Sequence, residues 1–152
     1  CNAGQGAFFD GDWFSEPWSG HERKLAERES RESMPYFEMA ALANACATFA
    51  TRFAGKRITC RSDCEAVVAA LMARRAADAR LNALVRDVAI IATRHHFDLR
   101  AMHIAGDENT LADPLSRLDL KRFFANAQKR AICVAPGPTT ISRAETLISS
   151  PL

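Results

Sequence analysis

The chain has 152 residues, 48% of them hydrophobic and 25% charged, and a formal net charge of +2 at pH 7. That is the length and balance of one soluble globular domain with a tail, long enough to bury a real core. The charge excess is too small to mark a nucleic-acid binder, so any such claim rests on where Lys and Arg sit, and no signal peptide or membrane-spanning apolar run is seen.

Five cysteines (Cys1, Cys46, Cys60, Cys64, Cys133) form no CxxC pair and are odd in number. Cys46 and Cys60 fall in apolar patterns, so buried reduced thiols are expected, and with them a reducing, intracellular compartment. The chain opens on Cys1 rather than Met and at once enters a strand-like pattern, which predicts a piece of a longer polypeptide.

In chain order, Ala7–Phe9 and Trp13–Phe14 flank Asp10-Gly11-Asp12, a strong hairpin signal. Turn chemistry accounts for Asp10 and Asp12, with metal ligation as the alternative. Pro17–Arg31 is polar and aperiodic and predicts a surface loop, with a helical turn near Lys24–Arg28 and incidental roles for Trp18 and His21. Pro35 then opens a helix expected to run to about Phe53, with Phe37, Ala41, Leu42, Ala45, Phe49 and Phe53 at helical spacing. Glu38 interrupts that face near its start, either complementing the helix dipole or serving a site.

Gly55 ends the helix, and Arg57–Arg61 predicts a strand with Ile58 and Cys60 inward. Asp63 follows, between the strand's carboxyl end and a helix over Glu65–Arg74. Ligands favour that edge of α/β sheets, though an N-cap Asp is the alternative. The basic connection with Arg74, Arg75 and Arg80 leads to a third helix, about Ala77–His95, striped by Leu81, Leu84, Val85, Val88 and Ile91. His95 and His96 suit its C-terminus, and Phe97–Ile104 alternates as a strand.

The stretch His103–Leu118, HIAGDENTLADPLSRL, predicts a strand end, a turn at Gly106 and a helix start with Asn109 as N-cap and Asp113 just over one turn later; Pro114 predicts a short helix, or one starting nearer Thr110. Asp119–Lys129 extends or adds a helix, and the Pro-, Gly- and Ser-rich remainder has linker composition. Three carboxylates, Glu38, Asp63 and Asp113, thus fall at corresponding ends of elements. Converging carboxylates repel and call for cations, and hard oxygen donors favour Mg²⁺ or Mn²⁺ over Zn²⁺. Two ions about 4 Å apart suit phosphodiester cleavage.

These segments resemble the ribonuclease H domain of retrotransposon reverse transcriptases, most closely the DIRS-type (tyrosine-recombinase) group. The matching pieces are AGQGAFF with its hairpin, MPYFEMAAL, ITCRSDCEAVVAAL and FDLRAMHIAGDENTLADPLSRL, together spanning about Ala3–Leu118. The resemblance implies an α/β, ribonuclease H-like fold with a mixed central sheet flanked by helices, placed at 1–118 with an incomplete first strand. A C-terminal helical extension at 119–130 and a linker or tail at 131–152 follow.

It further implies hydrolysis of the RNA strand of an RNA–DNA hybrid with two Mg²⁺ or Mn²⁺ ions, within a polyprotein that also carries the polymerase, and no membrane partner. Glu38, Asp63 and Asp113 match three of the family's four metal-binding carboxylates. Asn109 matches the Asn four residues before the last Asp, and His103 falls near a loop His that aids product release. Arg74, Arg75 and Arg80 are candidates for substrate phosphates.

The family's first carboxylate lies on strand one, shortly before the glycine-rich segment. With AGQGA at Ala3–Ala7, its place falls just before Cys1, and Asp10 and Asp12 do not match it. The expectation is a fragment weakly active or inactive alone and an active parent chain. The alternative is a degenerate module that binds nucleic acid or braces a polymerase without cutting.

Overall fold

The structure is a computed structural model, and residues 3–20, 22, 24 and 34–142 are described. Strands β1 (Gly4–Phe9) and β2 (Asp12–Pro17) are joined by the two-residue turn Asp10–Gly11. Both turn residues have positive φ, 47° and 91°, so the DG pair meets the requirement of the turn whose twist matches paired strands. Asp10 and Asp12 are both held by Arg52, whose guanidinium also lies over the Phe9 ring. That pairing favours the structural reading of the two aspartates.

The first long helix is broken. α1 spans Met34–Thr48 and a single turn, α2, spans Ala50–Phe53, with Phe49 between them. The expected apolar face was too narrow: Met39, Ala43 and Cys46 are buried along with Phe37, so α1 is enclosed on most sides. Trp18, expected to be incidental, is buried, its ring centroid 5.2 Å from that of Phe37 and tilted 59° to it. His21 and most of the predicted turn at Lys24–Arg28 lie outside the described residues.

β3 (Arg57–Ser62) turns inward at Ile58, Cys60 and Ser62 and leads through Asp63 into α3 (Glu65–Ala73). Arg74 closes α3 in the left-handed conformation, its N–H bonded to Ala70 and Leu71 carbonyls. α4 (Ala79–Arg94) is capped by Asp78, whose carboxylate accepts from the Leu81 N–H. β4 (Asp98–His103) then pairs parallel with β3, Arg57 opposite Asp98 and Ser62 opposite His103. Parallel neighbours need such a crossover, here made by α3 and α4.

α5 is short, Ala112–Ser116, and α6 spans Leu120–Lys129 with Asp119 as its cap. α5 packs directly on β1. A Cβ at Gly6 would stand 2.4 Å from Leu115 Cβ and 2.5 Å from its carbonyl carbon, so glycine is what lets the two backbones meet. Ser15 Oγ donates to the Leu115 carbonyl at 2.6 Å, fixing α5 from β2 as well.

Phe123 of α6 is fully buried against Trp13 and Leu115, so the expected helical extension shares a core with the hairpin. The expected linker is also packed where it is described. Ala135 and Thr139 donate to Gly11 and Trp13 carbonyls, and Ile141 joins the main core. Residues 143–152 lie outside the described residues.

The molecule is mixed α/β, but the predicted single central sheet is not formed among the described residues. β1 pairs only with β2, and β3 only with β4. Between them lies a cavity of about 800 Å³, lined by Gly6–Phe9 of β1, Ile58–Ser62 of β3 and the Ala41, Leu42, Ala45 and Cys46 side of α1. The two pairs therefore face each other across an apolar slot instead of sharing a ladder.

Candidate active site

Each candidate carboxylate is set by a different local device. Glu38 lies in the second turn of α1, on a half-buried position beside the fully buried Phe37 and Met39. Asp63 follows the last residue of β3, and its side chain is not the cap of α3; that position belongs to Cys64, which makes no side-chain cap bond. Asp113 is the second residue of α5, held close to β1 by the Leu115 packing.

The expected N-cap role of Asn109 is corrected by the structure. Leu111 occupies the cap position, because the chain makes a further turn through Thr110 before the helix begins. The Asn109 amide instead donates to Asp63 Oδ1 at 3.3 Å, and its carbonyl accepts from the Asp113 N–H. Asn109 therefore ties the loop after β4 to the carboxylate after β3. Gly106 stands beside the same group, its Cβ position 3.5 Å from Asp63 Oδ2.

Glu38, Asp63, Asn109 and Asp113 line one cavity of about 180 Å³, together with Gly4 and Gly6 of β1 and Arg117. Residues from four separate segments are thus brought to one place. Glu38, Asp63 and Asn109 also line the adjoining end of the larger slot. Negative charge from Glu38 and Asp63 reaches the thiol of Cys64, whose pKa is raised chiefly by burial and then by both carboxylates.

Two arginines neutralise Asp113. Arg117 Nε donates to Oδ1 at 2.7 Å and Arg122 Nη1 to Oδ2 at 3.4 Å. Asp113 raises the pKa of Arg117 through the hydrogen bond and its charge, and Asp63 adds to the effect. Among the described residues no three His, Cys, Asp or Glu side chains stand close enough together to hold a metal ion. The carboxylates share a cavity rather than a coordination shell. Their chemistry nonetheless fits a hard divalent cation: the three acidic residues that line the cavity offer carboxylate oxygens.

The other candidates lie elsewhere. His103 is exposed at the end of β4, and neither cavity is lined by it. Arg74 and Arg75 are exposed in the turn after α3, and Arg80 lies 5.6 Å from the Tyr36 ring centroid. Neither cavity is lined by these three. Arg61 and Arg130 do line the slot, and the sequence reading missed both. Alternation along β3 puts Arg61 on the outward face and so did not flag it, and only packing reveals Arg130, whose Nη1 donates to Thr110 Oγ1 at 2.7 Å.

No helix among the described residues is long and apolar enough to cross a membrane. No protein-family model, curated protein or solved structure matches the chain.

Proposed function

We propose that the chain is the ribonuclease H-type nuclease module of a retroelement reverse transcriptase, which hydrolyses the RNA strand of RNA–DNA hybrids with divalent metal. One observation carries this reading: Glu38, Asp63 and Asp113, distant in sequence, line one cavity with Asn109. Glu38, Asp63 and Asp113 would hold Mg²⁺ or Mn²⁺, which supplies the Lewis acidity that phosphodiester hydrolysis needs. Asn109 orients Asp63 through its amide, and Arg61 and Arg130 offer cations for substrate phosphates beside the site. His103 in product release, the polymerase as a covalent neighbour and an intracellular setting belong to the same proposal.

The slot has room for a strand beyond those described, which this reading adds to the expected incomplete first strand. An edge on each side that is unpaired among the described residues, and a largely apolar floor, suit one extended segment, which would join the two strand pairs into one mixed sheet. The resemblance puts the first carboxylate on strand one, just upstream of Cys1.

A second reading, a non-cutting nucleic-acid-binding or bracing module, has one observation in its favour: both oxygens of Asp113 are already paired with arginine. Cleavage of a labelled hybrid in Mg²⁺ or Mn²⁺ separates the two readings. The comparison is between this chain, a chain lengthened upstream to supply the Asp-bearing strand, and the lengthened chain with Asp63→Asn. Cutting by the lengthened chain, lost with Asp63→Asn, is the expected result. No cutting by any folded form favours the bracing module, and cutting by the present chain contradicts the need for a further ligand.

A further inference from the structure

Three carboxylates turned toward one small cavity repel one another, and a protein relieves that with a cation. In this chain the relief is internal. Arg117 follows Asp113 by four residues, the spacing that stacks side chains on one helix face, and it lies just past the end of α5. Its guanidinium bonds Asp113 Oδ1, feels the charge of Asp63 and lines the cavity with Glu38 and Asn109. Arg122 reaches the other Asp113 oxygen at a longer distance and does not line that cavity.

We propose that Arg117 is the resident counter-cation of the carboxylate cavity, which holds the site assembled without metal, opposes a divalent ion at Asp113 and is displaced to solvent as one binds. The proposal rests on the metal-site reading above. Competition is electrostatic: each Asp113 oxygen accepts from one arginine and keeps a second lone pair, so an incoming divalent ion meets two guanidinium charges rather than a blocked carboxylate. The Arg117 side chain is 57% exposed, so it can swing to solvent without disturbing the core. Arg117 thereby sets the cation concentration at which the site loads, and guards against a bare carboxylate cluster below it.

Equilibrium Mn²⁺ binding, read from the electron paramagnetic resonance of unbound Mn²⁺, tests this in the wild-type chain, Arg117→Gln, Arg122→Gln and Asp63→Asn. Arg117→Gln is expected to bind Mn²⁺ about five-fold more tightly, the scale of a partly exposed ion pair, with a smaller gain for Arg122→Gln. A loss or no change in Arg117→Gln, while the wild type binds through Asp63, overturns the counter-cation role and leaves the metal site standing. Absence of Asp63-dependent binding in every form overturns both.

A second measurement does not depend on the variant folding. In the wild-type chain the Arg117 Nε–H resonance should move to its solvent-exposed position as Mg²⁺ is added. A resonance that stays fixed while Mg²⁺ binds contradicts the proposal.

Discussion

At Asp113 the functional question reduces to which cation the carboxylate prefers. Its side chain is 19% exposed and paired twice, so it is held in place before any ligand arrives. Asn109 performs the same service for Asp63 from the opposite loop. Replacing Asn109 with Asp sets a second anion against Asp63 in the absence of metal. The expected outcome is a lower urea midpoint in EDTA that recovers when Mn²⁺ is added, and a midpoint indifferent to Mn²⁺ would count against the shared site.

Gly6 is the other residue on which the site depends. Gly6→Ala drives a methyl group into the backbone of Leu115 and Ser116, neither of which can turn aside. Overpacking of that kind costs about 1–3 kcal/mol, and urea unfolding is the measurement that checks it. The positions of Glu38, Asp63 and Asp113 near strand ends and helix starts were legible locally, but that the three line one cavity is shown only by the packing. The Arg117 pairing was equally open to reading, since the spacing from Asp113 is four. Arg122 and Arg130 were not, because only the packing of α6 brings them near.

Among elements, α5 is the shortest of those carrying a site residue, and almost nothing intrinsic stabilises five helical residues. Its place comes from Leu115, which is wholly buried between β1, Trp13 and Phe123, and from the Ser15 bond to its carbonyl. Leu115→Ala is expected to cost about 2–5 kcal/mol and to weaken Mn²⁺ binding along with stability, checked by urea unfolding and by the same Mn²⁺ titration. Unchanged metal binding in a destabilised but folded variant would mean that α5 does not position Asp113.

The hairpin, β3, β4 and the two crossover helices followed from turn chemistry and periodicity. The break in the first long helix did not, because Phe49 and Phe53 keep helical spacing across it. The described part of the predicted linker also misled. Its Pro and Gly content marks irregular backbone, and irregular backbone here still packs along β2.

For the whole molecule, the slot between the strand pairs is the feature that composition and periodicity could not show. Local patterns identify strands but not which edges find partners, and among the described residues β1 and β3 each leave one facing the cavity. Two thiols, Cys46 and Cys60, line the same slot. Burial pushes Cys60 from an ordinary 9.0 up to about 12, and raises Cys46 further, with the neighbouring Cys60 adding to it.

A thiol pKa raised by folding gives stability that is complete below the unfolded value and is lost as pH rises toward the folded one. Stability should therefore fall between about pH 9 and 12. Urea midpoints across that range should drop more steeply for the wild type than for a Cys46→Ala, Cys60→Ala chain. Equal slopes would place the thiols outside the core.

The central claim is that Glu38, Asp63, Asn109 and Asp113 form one cation site. Paramagnetic broadening of backbone amide resonances by trace Mn²⁺ tests it most directly, because it reads proximity without requiring catalysis. The account predicts that amides around Glu38, Asp63, Asn109 and Asp113 broaden together, while those of Asp10 and Asp12 in the hairpin turn stay sharp. Broadening confined to the hairpin turn, or spread evenly over surface acids, would contradict it.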